Sequence, residues 1–315
     1  MWRYAAVRLG QFVVTLFIAS IVVFLVIEHA PGNPVTFQLG LNATHAEIVN
    51  ETRKLGLNAP LPHRYIIWLS QAVHLNLGVS FTTGLPVTTT IKAAAGNTLR
   101  LTVLAVILGL IIGIPVGLFA ALRRGTKIDA VISSWAAVGL SVPNFAVGTI
   151  LILVLAVHFK LMPSAGAGSP GQSLLSTLRY TIMPALTLAI PFASVATRYV
   201  RMELGEVMGQ AYILTARSLG LRPRTVLYNG WRNALIPTIT VLGMQTAQLL
   251  GGAMITETVF SYPGLGYLTI QSIQDLDYPV VEGVLLLAAA IFLVVMFLVD
   301  IVVALANPRV RLGGP

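Results

Sequence analysis

Six long stretches of this sequence contain no ionisable side chain. Each is close to the roughly 17–25 residues that an α-helix needs to cross a bilayer, and the third is long enough to run tilted. The stretches lie between Arg8 and Glu28, Arg100 and Arg123, Asp129 and His158, Arg179 and Arg198, Arg232 and Glu257, and Glu282 and Asp300. The pattern predicts an all-α, polytopic membrane helix bundle with six transmembrane helices in the lipid bilayer.

The composition supports a membrane protein rather than a soluble one. Of the 315 residues, 56% are hydrophobic and 10% are charged, whereas about 25% of an average soluble chain is charged. A soluble fold of this length could not bury so much apolar surface, but a bilayer covers it from the outside. Cysteine is absent, so disulfide and thiolate chemistry are excluded.

The net charge of +9 is distributed unevenly about the predicted spans. The segments 1–8, 123–129, 198–232 and 307–315 fall on one side and contain 13 basic and three acidic side chains. The segments on the other side contain seven of each sign. Because Lys and Arg accumulate in cytoplasmic loops, we expect a multi-pass protein of the cell membrane with both chain ends in the cytoplasm. The excess charge therefore indicates topology and not a nucleic-acid partner.

The predicted spans divide the chain into three parts. Residues 1–30 hold the N-terminus and the first span, which we interpret as a retained helix because no small-x-small cleavage site follows it. Residues 31–97 form an extracytoplasmic segment, in which Thr44 and Glu47 have the spacing of a capping box. Residues 98–315 form the permease-like core with the other five spans.

The second predicted span has glycines at four-residue intervals, namely Gly109, Gly113 and Gly117. On a helix these residues lie on one face, where they let the backbone of another helix approach closely. We therefore expect helix packing along this face, within the chain or between subunits.

The fifth predicted span contains two amides, Gln245 and Gln248, about one helical turn apart. Amides are costly in hydrocarbon, so these side chains should face protein or a water-filled passage. Hydrogen bonding between helices and lining of a pathway both explain the pair, and the sequence leaves these two interpretations open.

The longest predicted cytoplasmic segment, 198–235, contains local helix signals. A short helix is predicted over 211–220, where Gly220 stops it, and a second one over 223–231 before Pro237 starts the fifth span. A simple connecting loop would not need such structure. The segment is either an amphipathic helix lying on the membrane surface or a docking surface for a cytoplasmic partner.

The sequence contains no catalytic or metal-binding pattern. None of the four lysines follows a glycine, so the P-loop motif G-x-x-x-x-G-K-[ST] is absent, and the histidines lack metal-ligand spacing. The acidic side chains of the predicted spans lie at span ends, so no embedded carboxylate pair suggests a proton relay. We therefore expect no enzyme and no cofactor in this chain, and active transport would be powered by another polypeptide.

Two motifs are specific enough to suggest a family. The run LTARSLGL with the later RNALIP, within residues 214–237, resembles the cytoplasmic EAA loop of ABC import permeases in its peptide-importer form. The run ETVFSYPGLGYL, residues 257–268, is similar to the ETVF-x-x-PGLG signature of the same proteins. The chain thus resembles the permease subunits of bacterial ABC importers for dipeptides, oligopeptides and nickel. Its loop lacks the generic glutamate and has a longer spacer, as is common in the peptide importers.

Shorter runs along the rest of the chain agree with this resemblance. They are APGNP (30–34), LNLGVSF (75–81) with LPV (85–87), NTLRL (97–101) and SVPNF (141–145). Asn33 and Asn76 stand where the family usually has acidic residues. The length of the chain and its large segment after the first span favour the B-type permease over the C-type, in which that segment is shorter.

The resemblance implies a type I ABC importer permease fold and a five-part importer. The partners would be a C-type permease, two cytoplasmic ABC ATPases that bind ATP and Mg, and an extracytoplasmic substrate-binding protein. Peptides are the expected cargo, with nickel, glutathione or oligosaccharides as alternatives. An ATP-independent channel or secondary transporter is disfavoured, because neither an inverted repeat nor an embedded ion-coupling residue is visible. A structural assembly factor would not need the EAA-like loop.

The resemblance also assigns roles to individual residues. ATPase coupling within the EAA-like loop, 211–237, falls on Tyr212, Leu214, Thr215, Ala216, Arg217, Gly220, Asn233 and Pro237. The outer gate falls on Glu257, Phe260, Pro263, Gly264 and Gly266. The translocation path would be lined by Gln245 and Gln248. The run SYPGLG predicts a tight turn in this gate, with Phe260 and Tyr262 as its apolar anchors.

Overall fold

Helices make up almost all of the regular structure. The computed structural model describes residues 2–30, 44–54, 58–168, 171 and 173–306. Within those ranges no β-strand is present, and an isolated bridge joins Val79 to Pro86. The prediction of an all-α protein is therefore confirmed. The APGNP run lies outside the described residues from Pro31 onward.

The helices are numbered here in chain order. They are α1 (Trp2–Glu28), α2 (His45–Lys54), α3 (Leu61–Val73), α4 (Val87–Leu122), α5 (Lys127–Ser141), α6 (Asn144–Leu151), α7 (Leu174–Val207), α8 (Ala211–Ser218), α9 (Pro223–Val259), α10 (Leu265–Gln274) and α11 (Tyr278–Ala306). A π-helical segment, Ile152–His158, continues α6. Five of the described helices, α1, α4, α7, α9 and α11, are long and apolar enough to cross a bilayer.

The third predicted span is a bent pair of helices and not one tilted helix. α5 and the continued α6 meet at an angle of 100° across a short break. Val142 and Pro143 in this break have extended backbone angles, because a residue that precedes proline avoids the helical conformation. With the bent pair counted as one span, the described chain has the six spans that the sequence predicts.

The glycine face of α4 packs against α7 as predicted. A Cβ on Gly113 would lie 2.7 Å from the Ala193 carbonyl oxygen, and one on Gly117 would lie 2.7 Å from the Thr197 carbonyl oxygen. The Thr197 hydroxyl also donates to the Gly113 carbonyl at 3.2 Å. The absence of side chains on α4 therefore lets the two backbones touch, and the predicted packing within the chain is confirmed.

α7 lies at the centre of the bundle, whereas α1 and α11 lie at its edge. α7 contacts α4, α5, α6 and α9, and it is the most buried of the candidate spans. α1 and α11 pack against each other. Their outward side chains, such as Val13, Val22 and Leu298, are apolar and exposed. A surface of this kind is stable in contact with lipid or with another subunit.

The prediction of a second short cytoplasmic helix that ends before Pro237 is wrong. α9 is continuous and contains Pro237 in its interior. A proline removes one backbone hydrogen bond, but membrane helices tolerate this where nearby groups bond to the freed carbonyls. In the same turn, the Thr238 hydroxyl donates to the Ala234 carbonyl at 2.7 Å. One helix therefore joins the loop after α8 to the opposite end of the bundle.

The segment between the first two spans forms helices that pack over one end of α1. Tyr65 and Trp68 of α3 lie against Phe24, with ring centroids 5.4 and 5.7 Å away. At the start of α2, the predicted capping box is present, since Thr44 and Glu47 exchange backbone-to-side-chain hydrogen bonds. These hydrogen bonds from Thr44 lower the pKa of the exposed Glu47 carboxyl.

Candidate functional site

Glu257 is fully buried near the end of α9, where the sequence places the outer gate. Its carboxyl group accepts hydrogen bonds from the Thr98 hydroxyl at 2.6 Å and from the N–H groups of Gly266 and Tyr267 at 2.7 and 3.2 Å. These N–H groups belong to the first turn of α10, where a helix provides no partners of its own. The side chain therefore caps α10, and the hydrogen bonds offset the cost of its burial.

The start of α10 is also held from α4 by two residues that sequence reasoning did not single out. The Thr98 hydroxyl, besides donating to Glu257, accepts the N–H of Leu265 at 2.8 Å. The Asn97 amide donates to the Pro263 carbonyl at 2.9 Å. Both residues lie in the NTLRL run, and its resemblance to the family is the signal that could have found them.

Close contact, rather than backbone conformation, requires glycine in the SYPGLG turn. A Cβ on Gly264 would overlap Oε1 of Glu257, and one on Gly266 would overlap the Cα of Met254. Gly264 itself has φ −102°, which other residues adopt freely. The predicted tight turn is present, and its glycines allow the chain to pass directly over the buried Glu257 carboxyl.

Two aromatic side chains anchor this turn. Phe260 and Tyr262 are each 1% exposed. Burial raises the pKa of the Tyr262 hydroxyl above its usual range, and this hydroxyl donates to the Asn97 carbonyl at 3.4 Å. Ser261 between them has φ +44°, and the chain changes direction there. The two rings hold the turn in the apolar interior.

Asp277 is a second buried carboxylate at the same end of the bundle, and the sequence did not reveal it. It lies between α10 and α11 and is 3% exposed. Its oxygens accept hydrogen bonds from the Ser80 hydroxyl at 2.5 Å and from the N–H groups of Phe81 and Thr82 at 3.0 and 3.4 Å. Asp277 therefore ties the segment between the first two spans to the segment 257–280.

The two predicted path residues lie on α9, partly on a face that this chain leaves uncovered. Gln245 is half-buried and Gln248 is exposed, and neither side chain has a hydrogen-bond partner among the described residues. Met244, Gly251 and Ile255 share the face of Gln248 and are also exposed. Hydrogen bonds between helices of the described chain therefore do not explain the two amides.

α8 ends with the glycine stop that the sequence predicts. Gly220 has φ +73°, which lies in the left-handed region that favours glycine. Its N–H bonds to the Arg217 carbonyl at 2.9 Å, and the N–H of Leu221 bonds to the Ala216 carbonyl at 3.2 Å. These bonds satisfy the last carbonyls of α8. Pro223, which has no N–H to satisfy, then begins α9.

A single fully buried side chain, among the described residues of α8, attaches this helix to the bundle. Ile213 is 0% exposed, whereas Tyr212, Leu214 and Leu219 are exposed. The Asn233 amide of α9 donates to Oη of Tyr212 at 2.7 Å, so these two predicted coupling residues do meet. Three large apolar side chains on one short loop indicate a surface that another molecule or the membrane covers.

Arg217 lies beside a cavity between α8 and the start of α9. The cavity has a volume of about 590 Å³, and Arg217 and Arg224 line it together with apolar side chains such as Leu221. Thr215 makes only a local contact, through a hydroxyl hydrogen bond to the Ala211 carbonyl at 3.0 Å. The loop therefore presents positive charge and apolar surface next to each other.

Two family models match the chain. The model described as binding-protein-dependent transport system inner membrane component matches residues 113–312. The chain belongs to this family. The model for the N-terminal part of the same transport component matches residues 1–102. The coupling loop and the outer turn both lie in the first matched region, and the hydrogen bond from Thr98 to Glu257 joins it to the second.

Relatives in this family match the chain from end to end. The glutathione transport system permease protein GsiC of Escherichia coli is 36% identical, over 99% of this chain and 99% of that protein. The dipeptide transport system permease protein DppB of Escherichia coli is 34% identical, over 99% of this chain and 99% of that protein. The chain is thus a membrane transport component of the ABC importer permease family and not an ATPase.

A solved structure in this family has a similar fold. One of the inward-facing conformations of the MetNI methionine ABC transporter aligns with a TM-score of 0.57 and 19% sequence identity. The alignment covers 69% of this chain and 96% of that chain. At this identity the likeness concerns the fold alone, and it agrees with the importer permease fold that the sequence predicts.

Proposed function

We propose that this protein is the B-type permease of a peptide importer, paired with a C-type permease and driven by two cytoplasmic ABC ATPases. The observation that carries the proposal is the loop between α7 and α9. It holds α8 by the buried Ile213 and exposes Tyr212, Leu214 and Arg217. A groove on an ATPase would cover this surface, and the transport of glutathione and dipeptides by two relatives supports a peptide cargo.

α8 would transmit the motion of an ATPase as a rigid unit. ATP and Mg would bind to the ATPase, and no group of three His, Cys, Asp or Glu side chains among the described residues of this chain could hold a metal ion. The corner at Gly220 leads directly into α9, whose far end carries Glu257. ATP hydrolysis performs work on this path only if the two transport states differ in their contacts at α8.

The exposed face of α9 would line the translocation path together with the equivalent face of the C-type permease. Gln248 lies on this face, and Gln245 lies beside it without a partner in the described chain. An amide side chain both donates and accepts hydrogen bonds, so the two residues suit the amide groups of a passing peptide. The surrounding Met244 and Ile255 would give the path an adaptable apolar wall.

The outer end would receive the substrate-binding protein. The segments 31–97 and 257–280 meet there, and Asp277 joins them through Ser80. A binding protein that docks on either segment would therefore act on the turn above Glu257. Asn33, which the sequence places in this region, lies outside the described residues, whereas Asn76 is exposed beside the docking surface that we propose.

Purification of the complex through a tag on this chain tests the proposed function. We expect an ATPase to copurify, a loaded binding protein to stimulate it, and labelled dipeptide to accumulate in proteoliposomes only with ATP. Uptake that is independent of ATP would indicate a channel or secondary transporter, and a complex without ATPase would indicate an assembly factor. Competition by glutathione tests the cargo of the first relative, and competition by nickel or by oligosaccharides tests these two further cargo classes.

The proposed orientation places residues 123–129 and both chain ends in the cytoplasm. Because the chain has no cysteine, single cysteines report the side on which they lie. An impermeant thiol reagent added to intact cells should label Thr83→Cys and leave Thr126→Cys unlabelled, although both positions are exposed. Labelling of Thr126→Cys would reverse the orientation. Ser169, an equally suitable outer position by sequence, lies outside the described residues.

A further inference from the structure

A small cavity lies between α5 and α7, apart from the coupling loop and the outer turn. Its volume is about 220 Å³, and it is lined by Ser133, Ala136, Ala137, Thr197, Arg198 and Arg201. One water molecule occupies about 30 Å³ in the liquid, so the cavity can accommodate a group much larger than water. The lining combines two guanidinium groups with small side chains that leave room between the helices.

Positive charge exceeds negative charge around this cavity. Arg201 is engaged by Asp129, through Nε and through Nη2 at 2.8 Å from Oδ2. Arg198 is exposed and has neither an ion pair nor a hydrogen bond among the described residues. The other carboxylates of α7, Glu203 and Glu206, do not line the cavity. One guanidinium group is therefore available to an anion.

Ser133 adds a hydrogen-bonding group that the protein does not use. Its Oγ is buried and has no partner among the described residues, although it lines the cavity. A buried hydroxyl without a partner is costly, and native structures usually satisfy such groups with a protein atom, a water or a ligand. The hydroxyl can donate to an oxygen atom of a ligand that Arg198 attracts.

The position of the cavity suits a lipid headgroup. Ser133 lies six residues after the first residue of α5, which is about 9 Å along the helix axis. The neighbouring Val131 and Val138 are apolar and exposed, and Trp135 is exposed between them. Exposed Trp among apolar side chains is typical of the boundary between headgroups and hydrocarbon. A charged cavity at this depth is reached from the leaflet more readily than a buried internal site.

We propose that this cavity binds the phosphate group of an anionic phospholipid in the cytoplasmic leaflet. Arg198 provides the charge, Ser133 donates a hydrogen bond, and the pair of Arg201 with Asp129 keeps the cavity open between the helices. Basic pockets between transmembrane helices on the cytoplasmic side are suited to anionic headgroups. The proposal shares the cytoplasmic orientation of the proposed function but requires neither the cargo nor the partners.

Lipid retention by the full-length chain tests this proposal. The chain is purified in detergent with phosphatidylcholine, titrated with phosphatidylglycerol, and analysed by native mass spectrometry. Arg198→Gln should weaken phosphatidylglycerol retention about tenfold, the loss expected for one hydrogen bond to a charged group. Ser133→Ala should weaken it less, and Lys127→Gln, which removes an exposed charge from the start of the same helix outside the cavity, should not change it.

The controls distinguish a lipid site from a free-anion site and from a general effect of charge. Equal retention by the wild type and Arg198→Gln, or an equal loss in Lys127→Gln, would overturn the proposal. Inorganic phosphate is titrated in parallel with phosphatidylcholine alone. Binding of phosphate that depends on Arg198, without retention of phosphatidylglycerol, would assign the cavity to a free anion and reject the lipid. Lipid retention is measured without transport, so a failed uptake assay leaves this result intact.

Discussion

The turn above Glu257 and the loop that carries α8 are attached to the bundle in opposite ways. At the turn, two buried carboxyl groups accept hydrogen bonds from α4, from α10 and from the segment around Ser80. At the loop, the buried Ile213 and the hydrogen bond from Asn233 to Tyr212 are the main attachments among the described residues. One region is satisfied internally, whereas the other exposes groups that no described residue covers.

This difference shows which parts of the molecule depend on a partner. A region whose buried polar groups are all bonded within the chain keeps its shape alone, so the outer turn should move as one unit. A loop with large exposed apolar side chains becomes fully stable only when another surface covers it. The chain is therefore rigid at the proposed gate and incomplete at the proposed coupling site.

The largest expected effect belongs to the corner after α8. Gly220→Pro should abolish uptake and the stimulation of ATP hydrolysis by the binding protein, because proline cannot adopt the φ of +73° found there. Gly220→Asn should retain most activity, since asparagine tolerates the left-handed region. Uptake assays and ATPase assays on proteoliposomes check both variants. Equal activity of the proline and asparagine variants would show that the direction of α8 does not matter.

Charge reversal on α8 should have the next largest effect. Arg217→Glu changes the sign of an exposed group that lines the cavity beside α9, and we expect loss of the ATPase or loss of its stimulation. Arg217→Lys keeps the charge and should be milder. Membrane insertion should be unchanged in both, because Arg217 lies outside the spans. If Arg217→Glu and Gly220→Pro both transport normally, α8 is only a helix lying on the membrane surface.

A methyl group in the outer turn should disturb the region that is bonded within the chain. In Gly264→Ala the new Cβ would meet the Glu257 carboxyl, and overpacking of this kind costs about 1–3 kcal/mol. We expect a lower thermal unfolding temperature and impaired uptake with the complex still assembled. Gly96→Ala is the matched control, since a Cβ there meets no atom within 4 Å. Unchanged uptake by Gly264→Ala would reduce the turn to an ordinary connection.

The smallest effect is expected at Asp277. Asp277→Asn should lower the local opening free energy by about 1–2 kcal/mol, because a charged acceptor of three hydrogen bonds becomes a neutral one. Hydrogen exchange at the N–H groups of Phe81 and Thr82, which bond to Asp277, should become roughly tenfold faster. Asp275→Asn removes an exposed charge two residues away and should leave exchange unchanged. Equal exchange in the two variants would show that Asp277 does not hold this segment.

The features predicted from the sequence follow from what a bilayer and a helix require locally. Charge-free stretches indicate spans because hydrocarbon excludes ionised groups. The spacing of Gly113 and Gly117 predicts close helix packing for the same local reason. At the end of α8, Gly220 is recognisable because the left-handed conformation favours one residue type. Each of these predictions needs only a short window of sequence.

The remaining features depend on contacts that no short window contains. The pairing of Asp277 with Ser80 joins residues far apart in the chain, and Ile213 is distinguished from its apolar neighbours only by its burial. Proline gives an ambiguous local signal in a membrane. Pro143 lies at a bend of 100°, whereas Pro237 lies inside a continuous helix, because surrounding helices decide whether the freed carbonyls are satisfied.

The continuity of α9 has a mechanical consequence. Its 37 residues form a rod about 55 Å long, with the coupling loop at one end and Glu257 at the other. Near the middle, a Cβ on Gly243 would overlap Cγ1 of Val299, so α11 presses on the rod there as a fulcrum. A tilt of about 10° about this point would move each end by about 5 Å in opposite directions. The two openings of the passage would then be in antiphase, and this see-saw would oppose a continuous leak without a separate interlock.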